Sequence, residues 1–485
     1  MQNARLRTVW LANVTAGAAV VTARASLPRS AFTVYQSAIS RSEAARVRRS
    51  AIVASDLEVV TVTDRSVVLT WTTRARDKTG RLRPAPADTE VRITPADGVA
   101  PALPLYADER PTAFHYAEID GLEPGRSYRF EAYSAGHRVV PARTRVTQRA
   151  GTPETTGVFT TLTPPPGRLL RTLALANDVH YGEEASGIFV AGWPPGLRHD
   201  TEDHPEVMLD ALLDDVREPG RGADHLILAG DLTDSGTLAQ SLGVRARLDR
   251  WGALGRDYFV CRGNHDAPLR YPDDPWGSVF HPRQQLVDNR AGGLRIIGLD
   301  TTRLRGAGGT IVRPQLDHLR ELLTAEPERP TLIFGHHPVT SCAAVSNPGG
   351  PGFVLDRSNA AALHDLYRAA PGVFLHHCGH THRNRLGRPD SGIDVEFLEV
   401  AAVKEYPGGY LLLRIYEGGY MANFYKTRTE PARSWSTRTR RQFLGMYPDH
   451  ALGSFASRNH VVLRDFSGLA AADSAAVVQR GWAAT

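Results

Sequence analysis

The chain has 485 residues, enough for about two to four domains with a substantial core. Hydrophobic residues make up 42% and charged residues 22%, as in ordinary globular proteins, and no run of about 18 apolar residues predicts a membrane-spanning helix. The net charge of +5 comes from 57 basic and 52 acidic residues scattered along the chain, which argues against a nucleic-acid partner and fits mild attraction to phosphorylated substrates.

The cysteines and the N-terminal residues bear on the compartment. The chain has three cysteines, an odd number that argues against a disulfide framework. Thiols that stay reduced favour a cytoplasmic setting. Residues 1–25 place two arginines before a mostly apolar stretch that ends in Ala-Arg-Ala, so a secretory signal peptide stays open beside a pair of strands.

The first third of the chain has the pattern of β structure. Residues 1–51 form a strand-rich segment without an assigned role. Over 52–163, alternating apolar runs separated by turns, one at Asp64–Arg65 and others rich in Gly and Pro, predict an all-β, immunoglobulin-like sandwich. Trp71 and "GLEPGRSYRFEA" (121–132) resemble the core tryptophan and the Leu-x-Pro-Gly-x-x-Tyr-x-Phe motif of fibronectin type III domains. This resemblance implies a structural role for the region.

A stiff proline run, Pro-Pro-Pro-Gly at 164–167, is a plausible linker. After it, predicted strands and helices alternate along the chain. Helices are predicted over 205–218, 314–326 and 359–370. The intervening strands are continuously apolar, which predicts an α/β domain with its sheet covered on both faces, over 168–430. Near its end, three antiparallel strands are predicted over 396–403, 409–417 and 420–427. Residues 431–485 form a C-terminal extension without a predicted fold. Lys404 and Glu405 follow a strand, which leaves open that they approach the substrate, and neither is counted among the predicted site residues.

Five of these predicted strands end in residue types that bind metals. Ligands gather at the carboxyl ends of strands in open α/β sheets, so the five clusters are expected to meet there. Side chains two residues apart on an extended chain point to one face, so Asp178/His180 and His380/His382 are each expected to form a pair of ligands. The seven candidate metal ligands are Asp178, His180, Asp231, Asn264, His336, His380 and His382. Seven donors of these types suit two divalent ions that share one carboxylate, with Mn, Fe, Zn or Co as candidates.

The order of the clusters resembles the calcineurin-like metallophosphoesterase superfamily, whose blocks are D-x-H, G-D-x-x-D, G-N-H-D, G-H and G-H-x-H. All five blocks occur in this order. The resemblance implies an αββα sandwich and a binuclear metal centre. It implies that Asp178, His180 and His382 bind one ion, that Asn264, His336 and His380 bind the other, and that Asp231 bridges them. It also implies that His265 is a catalytic histidine outside the ligand set and that Asp234 orients it.

The blocks are most similar to those of class III cyclic nucleotide phosphodiesterases and glycerophosphodiesterases. The N-terminal β domain resembles that of purple acid phosphatases, but Asp234 stands where those enzymes have a tyrosine, and His180 where they have a glycine. The predicted function is hydrolysis of a small-molecule phosphodiester by a metal-activated hydroxide, with His265 as general acid. A phosphomonoesterase of the acid phosphatase or nucleotidase type, and a non-catalytic metal-stabilised binding protein, remain alternatives.

Two loops are expected to border the substrate, or else to be surface decoration. Residues 183–205 form a long loop after the first cluster and offer Trp193 and Arg198. Residues 339–353 follow His336 and are predicted to act as a lid with a hinge at residues 349–350.

Overall fold

The computed structural model describes residues 52–98, 103–141, 151–187, 203–268, 274–304, 306–387, 392–442 and 447–469. They fall into two compact units, divided between Thr163 and Pro164. The predictions made for residues 1–51, Trp193 and Arg198 lie outside the described residues. Among the described residues, no helix is both long enough and apolar enough to cross a membrane.

In its described residues, the first unit consists of two β-sheets and one short helix. Its elements are β1 (Ile52–Val62), β2 (Val67–Arg76), β3 (Leu82–Pro84), β4 (Ala87–Pro95), β5 (Tyr106–Thr112), β6 (Phe114–Ile119), β7 (Ser127–Ser134), β8 (His137–Arg138), β9 (Val140–Pro141), α1 (Pro153–Thr156) and β10 (Val158–Thr160). One sheet has the order β3-β2-β1-β9, with β6 paired to β2, and the other has the order β10-β7-β4-β5, with β8 paired to β7.

Trp71 lies in the core of this unit, as the pattern of the sequence predicts. It is buried, its indole nitrogen donates a hydrogen bond of 2.9 Å to Ser134 Oγ, and its ring stacks on His115. The predicted turn at residues 64–65 is also confirmed, because β1 and β2 pair antiparallel up to Val62 opposite Val67. The β-rich nature of the region is thus confirmed, while its likeness to fibronectin type III domains stays a prediction.

The second unit contains two six-stranded sheets with helices in the connections. The first sheet is built from β11 (Leu169–Ala176), β12 (His225–Ala229), β13 (Tyr258–Cys261), β20 (Gly409–Tyr416), β21 (Gly419–Lys426) and β22 (Asn459–Leu463), in the order β13-β12-β11-β20-β21-β22. The second is built from β14 (Val287–Ala291), β15 (Leu294–Leu299), β16 (Thr331–Gly335), β17 (Val373–Cys378), β18 (Arg385–Gly387) and β19 (Glu396–Glu399), in the order β14-β15-β16-β17-β19-β18.

The helices of this unit are α2 (His204–Arg217), α3 (Leu238–Trp251), α4 (Trp276–Val279), α5 (Arg313–Ala325), α6 (Ser341–Ser346), α7 (Arg357–Ala369), α8 (Glu430–Thr439), α9 (Tyr447–Leu452) and α10 (Phe455–Arg458), with a 3₁₀ turn at Gly350–Phe353. The amphipathic helices α5 and α7 bury Leu319 and Leu363 in one core cluster with Ile297 and Ile333 of the second sheet. Helix α2 connects β11 to β12, and α3 connects β12 to β13; these three strands run parallel.

The parallel strands of both sheets are buried along nearly their whole length, as continuous apolar runs predict. The two sheets touch directly, because His377 Nε2 on β17 donates a hydrogen bond of 3.2 Å to the carbonyl of Ala176 on β11. The predicted α/β fold with two sheets and a β-rich N-terminal region is confirmed.

The C-terminal part of the chain departs from the expected antiparallel strands. Residues 396–399 form β19, which runs parallel to β17 in the second sheet, whereas the next strand, β20, belongs to the first sheet. Only β20 and β21 form the expected antiparallel pair. An apolar run predicts a strand but carries no information about its partner, which explains the error. Beyond residue 430, β22 extends the first sheet by pairing with β21.

Candidate metal centre

The five predicted clusters meet where parallel strands of both sheets end. They follow β11, β12, β13, β16 and β17, in the order in which the sequence presents them. A hydrogen bond of 2.9 Å from His336 Nδ1 to the carbonyl of Ala229 joins the ends of β16 and β12 across the two sheets. The carboxyl ends of the strands therefore bring clusters from distant parts of the chain into one site.

The side chains form overlapping groups whose potential ligand atoms lie within 4.8 Å of one another. Three of these groups are Asp178–His180–His382, Asp178–Asp231–His336 and His336–His337–His380, and His265 forms a further one with His180 and Asp231. Asp231 lies between them, since its Oδ2 is 3.5 Å from His180 Nε2 and 3.1 Å from His336 Nε2. Asn264 lies next to the group of His336, with 3.1 Å between Asn264 Oδ1 and His336 Nε2. All seven predicted ligands thus come together, while their division between two ions stays a prediction.

The local geometry of the D-x-H and H-x-H pairs differs from the expected extended chain. Asp178, His180, His380 and His382 all have left-handed backbone conformations, with φ between 51° and 67°. Moreover, His380 joins the group of His336, whereas His382 joins that of Asp178. Non-glycine residues seldom adopt positive φ, and such conformations persist where surrounding structure enforces them, often at functional sites. Backbone turns, and not strand alternation, therefore aim these side chains.

Two glycines leave the space that the carboxylates occupy. A Cβ atom on Gly263 would lie 2.2 Å from Oδ1 of Asp231, and one on Gly379 would lie 2.6 Å from Oδ2 of Asp178. Neighbouring main-chain amides then hold the carboxylates: His265 N donates to Asp231 Oδ1 at 2.8 Å, and His380 N donates to Asp178 Oδ2 at 3.1 Å. The glycines of G-N-H-D and G-H-x-H are therefore explained by close approach.

The electrostatics of the site centre on two buried carboxylates. Burial acts to raise the pKa of Asp178, but His382, His180 and His336 together outweigh burial and hold that pKa well below its ordinary value. For His382, burial acts to lower the pKa, but the carboxylates of Asp178 and Glu405 raise it to about 10. Burial also acts to lower the pKa of His336, but Asp231, together with Asp178 and the carbonyl of Ala229, raises it to about 9. The two carboxylates thus attract positive charge into the interior.

Other histidines of the site resist protonation. Burial, helped by the charge of Lys404, lowers the pKa of His180 to about 4. Burial and the neighbouring His336 lower the pKa of His380 to about 3. Neutral imidazoles keep a lone pair for a metal ion, so these two histidines have the form that a ligand needs.

Unsatisfied buried atoms test whether the site fits a metal. Both ring nitrogens of His180, Oδ2 of Asp231 and Nε2 of His380 are buried and lack a hydrogen-bond partner. Each such atom costs about 1–3 kcal/mol unless something else satisfies it. A cation held by carboxylate, imidazole and amide donors would satisfy them together, so the residues fit divalent metal ions.

His265 lies beside the ligand groups. Its ring centroid is 4.4 Å from that of His180, and its Nδ1 donates a hydrogen bond of 2.7 Å to Asp234. The acceptor is the main-chain carbonyl of Asp234 and not its carboxylate, so the role of that carboxylate in orienting His265 stays a prediction. Burial, followed by the charge of Glu183, raises the pKa of the Asp234 carboxyl.

Three residues that contact the site were not among the predicted site residues. Glu405 Oε1 accepts a hydrogen bond of 2.8 Å from His382 Nδ1, although its position at a strand end was the one available hint. His337 is buried beside His336 and His380. Phe353, in the 3₁₀ turn of the loop at 339–353, stacks on His380 with 5.1 Å between ring centroids and is 40% exposed. This loop is ordered as α6 and that turn, and its action as a lid stays a prediction.

Comparisons with known proteins agree with this geometry. Residues 171–384 match the family model of the calcineurin-like phosphoesterases. A cAMP/cGMP dual specificity phosphodiesterase from Mycobacterium tuberculosis is 33% identical over 135 residues, which cover 27% of this chain and 41% of that protein. A probable glycerophosphodiester phosphodiesterase from Arcobacter nitrofigilis is 25% identical over 164 residues, which cover 33% of this chain and 57% of that protein. The chain thus spans about half the length of these curated relatives.

Among solved structures, a dimetal phosphatase from Danio rerio is 18% identical, with a TM-score of 0.41 over 54% of this chain and 98% of that one. The family match contains all five clusters, and the family uses divalent metal ions, for which this site has the donors. The family resemblance seen in the sequence is therefore confirmed: residues 171–384 are a calcineurin-like phosphoesterase domain.

Proposed function

We propose that the chain is a phosphoric ester hydrolase that uses two divalent metal ions and prefers small-molecule phosphodiesters. The observation that carries this proposal is the position of Asp231, whose Oδ2 lies between His180 Nε2 at 3.5 Å and His336 Nε2 at 3.1 Å. A carboxylate between two sets of ligands suits a bridge. Asp178, His180 and His382 would hold one ion, Asn264, His336 and His380 the other, with Mn, Fe, Zn or Co as candidates.

When bound, two such ions would supply a hydroxide at near-neutral pH and would stabilise the charge of the phosphoryl oxygens. His265 supplies the proton. Its Nδ1 carries a hydrogen, because the carbonyl of Asp234 can only accept, so Nε2 is the atom that can hold and release a proton. We assign it the protonation of the leaving oxygen, with the main chain of Asp234 fixing the ring.

The chain also orients its carboxylates before substrate arrives. The amide of His265 holds one oxygen of Asp231, and the amide of His380 holds Asp178. His265 therefore binds the Asp231 carboxylate through its main-chain amide and also carries the imidazole ring. This fixes the position of the proposed proton donor relative to the proposed bridging carboxylate. Preorganised charges and dipoles of this kind account for much of the rate in comparable enzymes.

Two observations favour a diester over a monoester. The half-exposed ring of Phe353 beside His380 offers an apolar surface to the second organic substituent, which a monoester lacks. Lys404 Nζ donates a hydrogen bond of 2.6 Å to Glu183 Oε1, so the charge of this lysine is already neutralised by a carboxylate. It is therefore poorly placed to bind the dianionic phosphate of a monoester. The names of the two curated relatives, both phosphodiesterases, point the same way.

The test is hydrolysis of bis(p-nitrophenyl) phosphate beside p-nitrophenyl phosphate, after chelation and reloading with Mn, Fe, Zn or Co in separate samples. We expect faster turnover of the diester. His265→Ala should lower kcat by about 10²–10⁴-fold and keep the bound metal, whereas Asp231→Asn should lose both. His318→Ala and Asp214→Asn, at exposed positions on α5 and α2, are the matched controls.

Other outcomes select the alternatives. Preference for the monoester with the same dependence on His265 would indicate a phosphomonoesterase. Two bound ions without turnover of either ester would indicate a binding protein. When the diester is turned over, cyclic nucleotides and glycerophosphodiesters are the substrates to compare next.

A further inference from the structure

A chain of hydrogen bonds reaches the metal centre from the C-terminal side of the family match. Gln442 Nε2 donates to Ser186 Oγ at 2.9 Å, and Ser186 Oγ donates to Glu405 Oε2 at 2.7 Å. The other oxygen of Glu405 accepts from His382 Nδ1 at 2.8 Å. Three hydrogen bonds therefore connect Gln442, which lies beyond residues 171–384, to a predicted metal ligand.

The direction of each bond in this chain is determined by chemistry. A side-chain amide nitrogen can only donate, so the hydroxyl of Ser186 accepts from Gln442 and turns its own hydrogen towards Glu405. A carboxylate can only accept, so His382 Nδ1 carries a hydrogen. The Nε2 atom of His382 is then the one that faces the site, 3.3 Å from Asp178 Oδ1. The relay thus selects the tautomer that a metal ligand needs.

Helix α8 holds the main chain on both sides of Glu405. Trp435 Nε1 donates a hydrogen bond of 2.7 Å to the carbonyl of Lys404, and Thr439 Oγ1 accepts one of 2.9 Å from the amide of Tyr406. Both Trp435 and Glu405 are fully buried. The carboxylate is thereby held from α8 in the crossover from β19 to β20, in addition to the main-chain hydrogen bond of 3.2 Å from Lys404 N to the carbonyl of Asp178.

We propose that the C-terminal segment from α8 to Gln442 is a working part of the metal centre. It positions Glu405, and Glu405 orients His382 so that Nε2 is presented to a divalent cation. Glu405, Ser186 and Gln442 are positioning residues in this scheme. The inference rests on the proposed function only in taking His382 as a metal ligand.

The test is a calorimetric titration of the full-length, metal-depleted chain with Co²⁺. We expect two binding events in the wild type, one of them weakened about 10–100-fold in Glu405→Gln. Gln442→Leu should weaken the same event to a smaller extent. Glu396→Gln is the matched control, because Glu396 is also a buried carboxylate bonded to a histidine, His460, that is not a predicted ligand. Thermal melting checks that each variant is folded.

The outcomes separate this inference from the proposed function. Two unchanged binding events in folded Glu405→Gln would overturn the inference and leave the hydrolase proposal standing. Weakening in Glu405→Gln alone, with wild-type binding in Gln442→Leu, would overturn the role of the C-terminal segment. If Glu405→Gln fails to fold, Gln442→Leu decides. A wild type that hydrolyses esters with a single bound ion would overturn the two-ion proposal instead, and the inference would then stand or fall with the effect of Glu405→Gln on that one binding event.

Discussion

Gly263 is the position at which one added methyl group should disturb the metal centre most directly. The new Cβ would lie 2.2 Å from both the amide nitrogen and Oδ1 of Asp231. Carbon and oxygen atoms that are not bonded to each other approach to about 3.3 Å, so Asp231 must move by about 1 Å. The backbone resists this movement, because Ala229 and Cys261 pair two residues earlier in β12 and β13.

This displacement of Asp231 allows an estimate of the loss of stability and of the loss of catalytic rate. Overpacking of this kind costs about 1–3 kcal/mol of unfolding free energy. A misplacement of about 1 Å at a catalytic group can lower the rate by about 100-fold. We therefore expect Gly263→Ala to lower the urea midpoint and to reduce kcat/KM for bis(p-nitrophenyl) phosphate by about two orders of magnitude.

Urea unfolding followed by circular dichroism, together with hydrolysis of the metal-loaded protein, measures these two effects. Gly277→Ala is the control, since Gly277 is exposed on α4 and an added Cβ would meet nothing within 4 Å. Should Gly263→Ala keep the wild-type midpoint and rate, the account of Gly263 as the space for Asp231 would be refuted.

Three further predictions concern stability and specificity. Burial lowers the pKa of His376 from 6.5 to about 3, so the unfolded chain takes up a proton below pH 6.5 that the folded chain does not. Stability should therefore fall as the pH drops from 6.5 towards 3, and His376→Gln should flatten the fall in melting temperature where exposed His318→Gln does not. Phe353→Ala should raise KM about 3–10-fold for bis(p-nitrophenyl) phosphate and less for the monoester; an equal rise would count against an apolar substrate surface. Asp356 caps α7 by accepting from Asn359 N at 3.0 Å, so Asp356→Ala should cost about 1 kcal/mol in urea unfolding, and an unchanged midpoint would contradict that role.

The sequence was most informative where chemistry and strand ends coincide. Asp178, Asp231 and His336 each follow a continuous apolar run, so their residue types and positions could be predicted together. The direction in which the side chains of Asp178 and Asp231 point could not be predicted, because it depends on left-handed φ values that non-glycine residues seldom adopt. The sheet of β19 was also beyond prediction, since strand pairing is a long-range property that an apolar run does not contain.

The supporting residues of the site escaped prediction for the same physical reason. Four of the seven predicted ligands come in pairs two residues apart and the other three lie in short blocks, so a short window of sequence detects them. Glu405 is 23 residues from His382, Ser186 is 219 from Glu405, and Gln442 is 256 from Ser186. Each of these residues is ordinary in its local sequence and acquires a role only when the sheets bring it to His382. A motif therefore outlines the predicted metal ligands, whereas the groups that we propose to orient them must be found in the folded chain, here as far as Gln442.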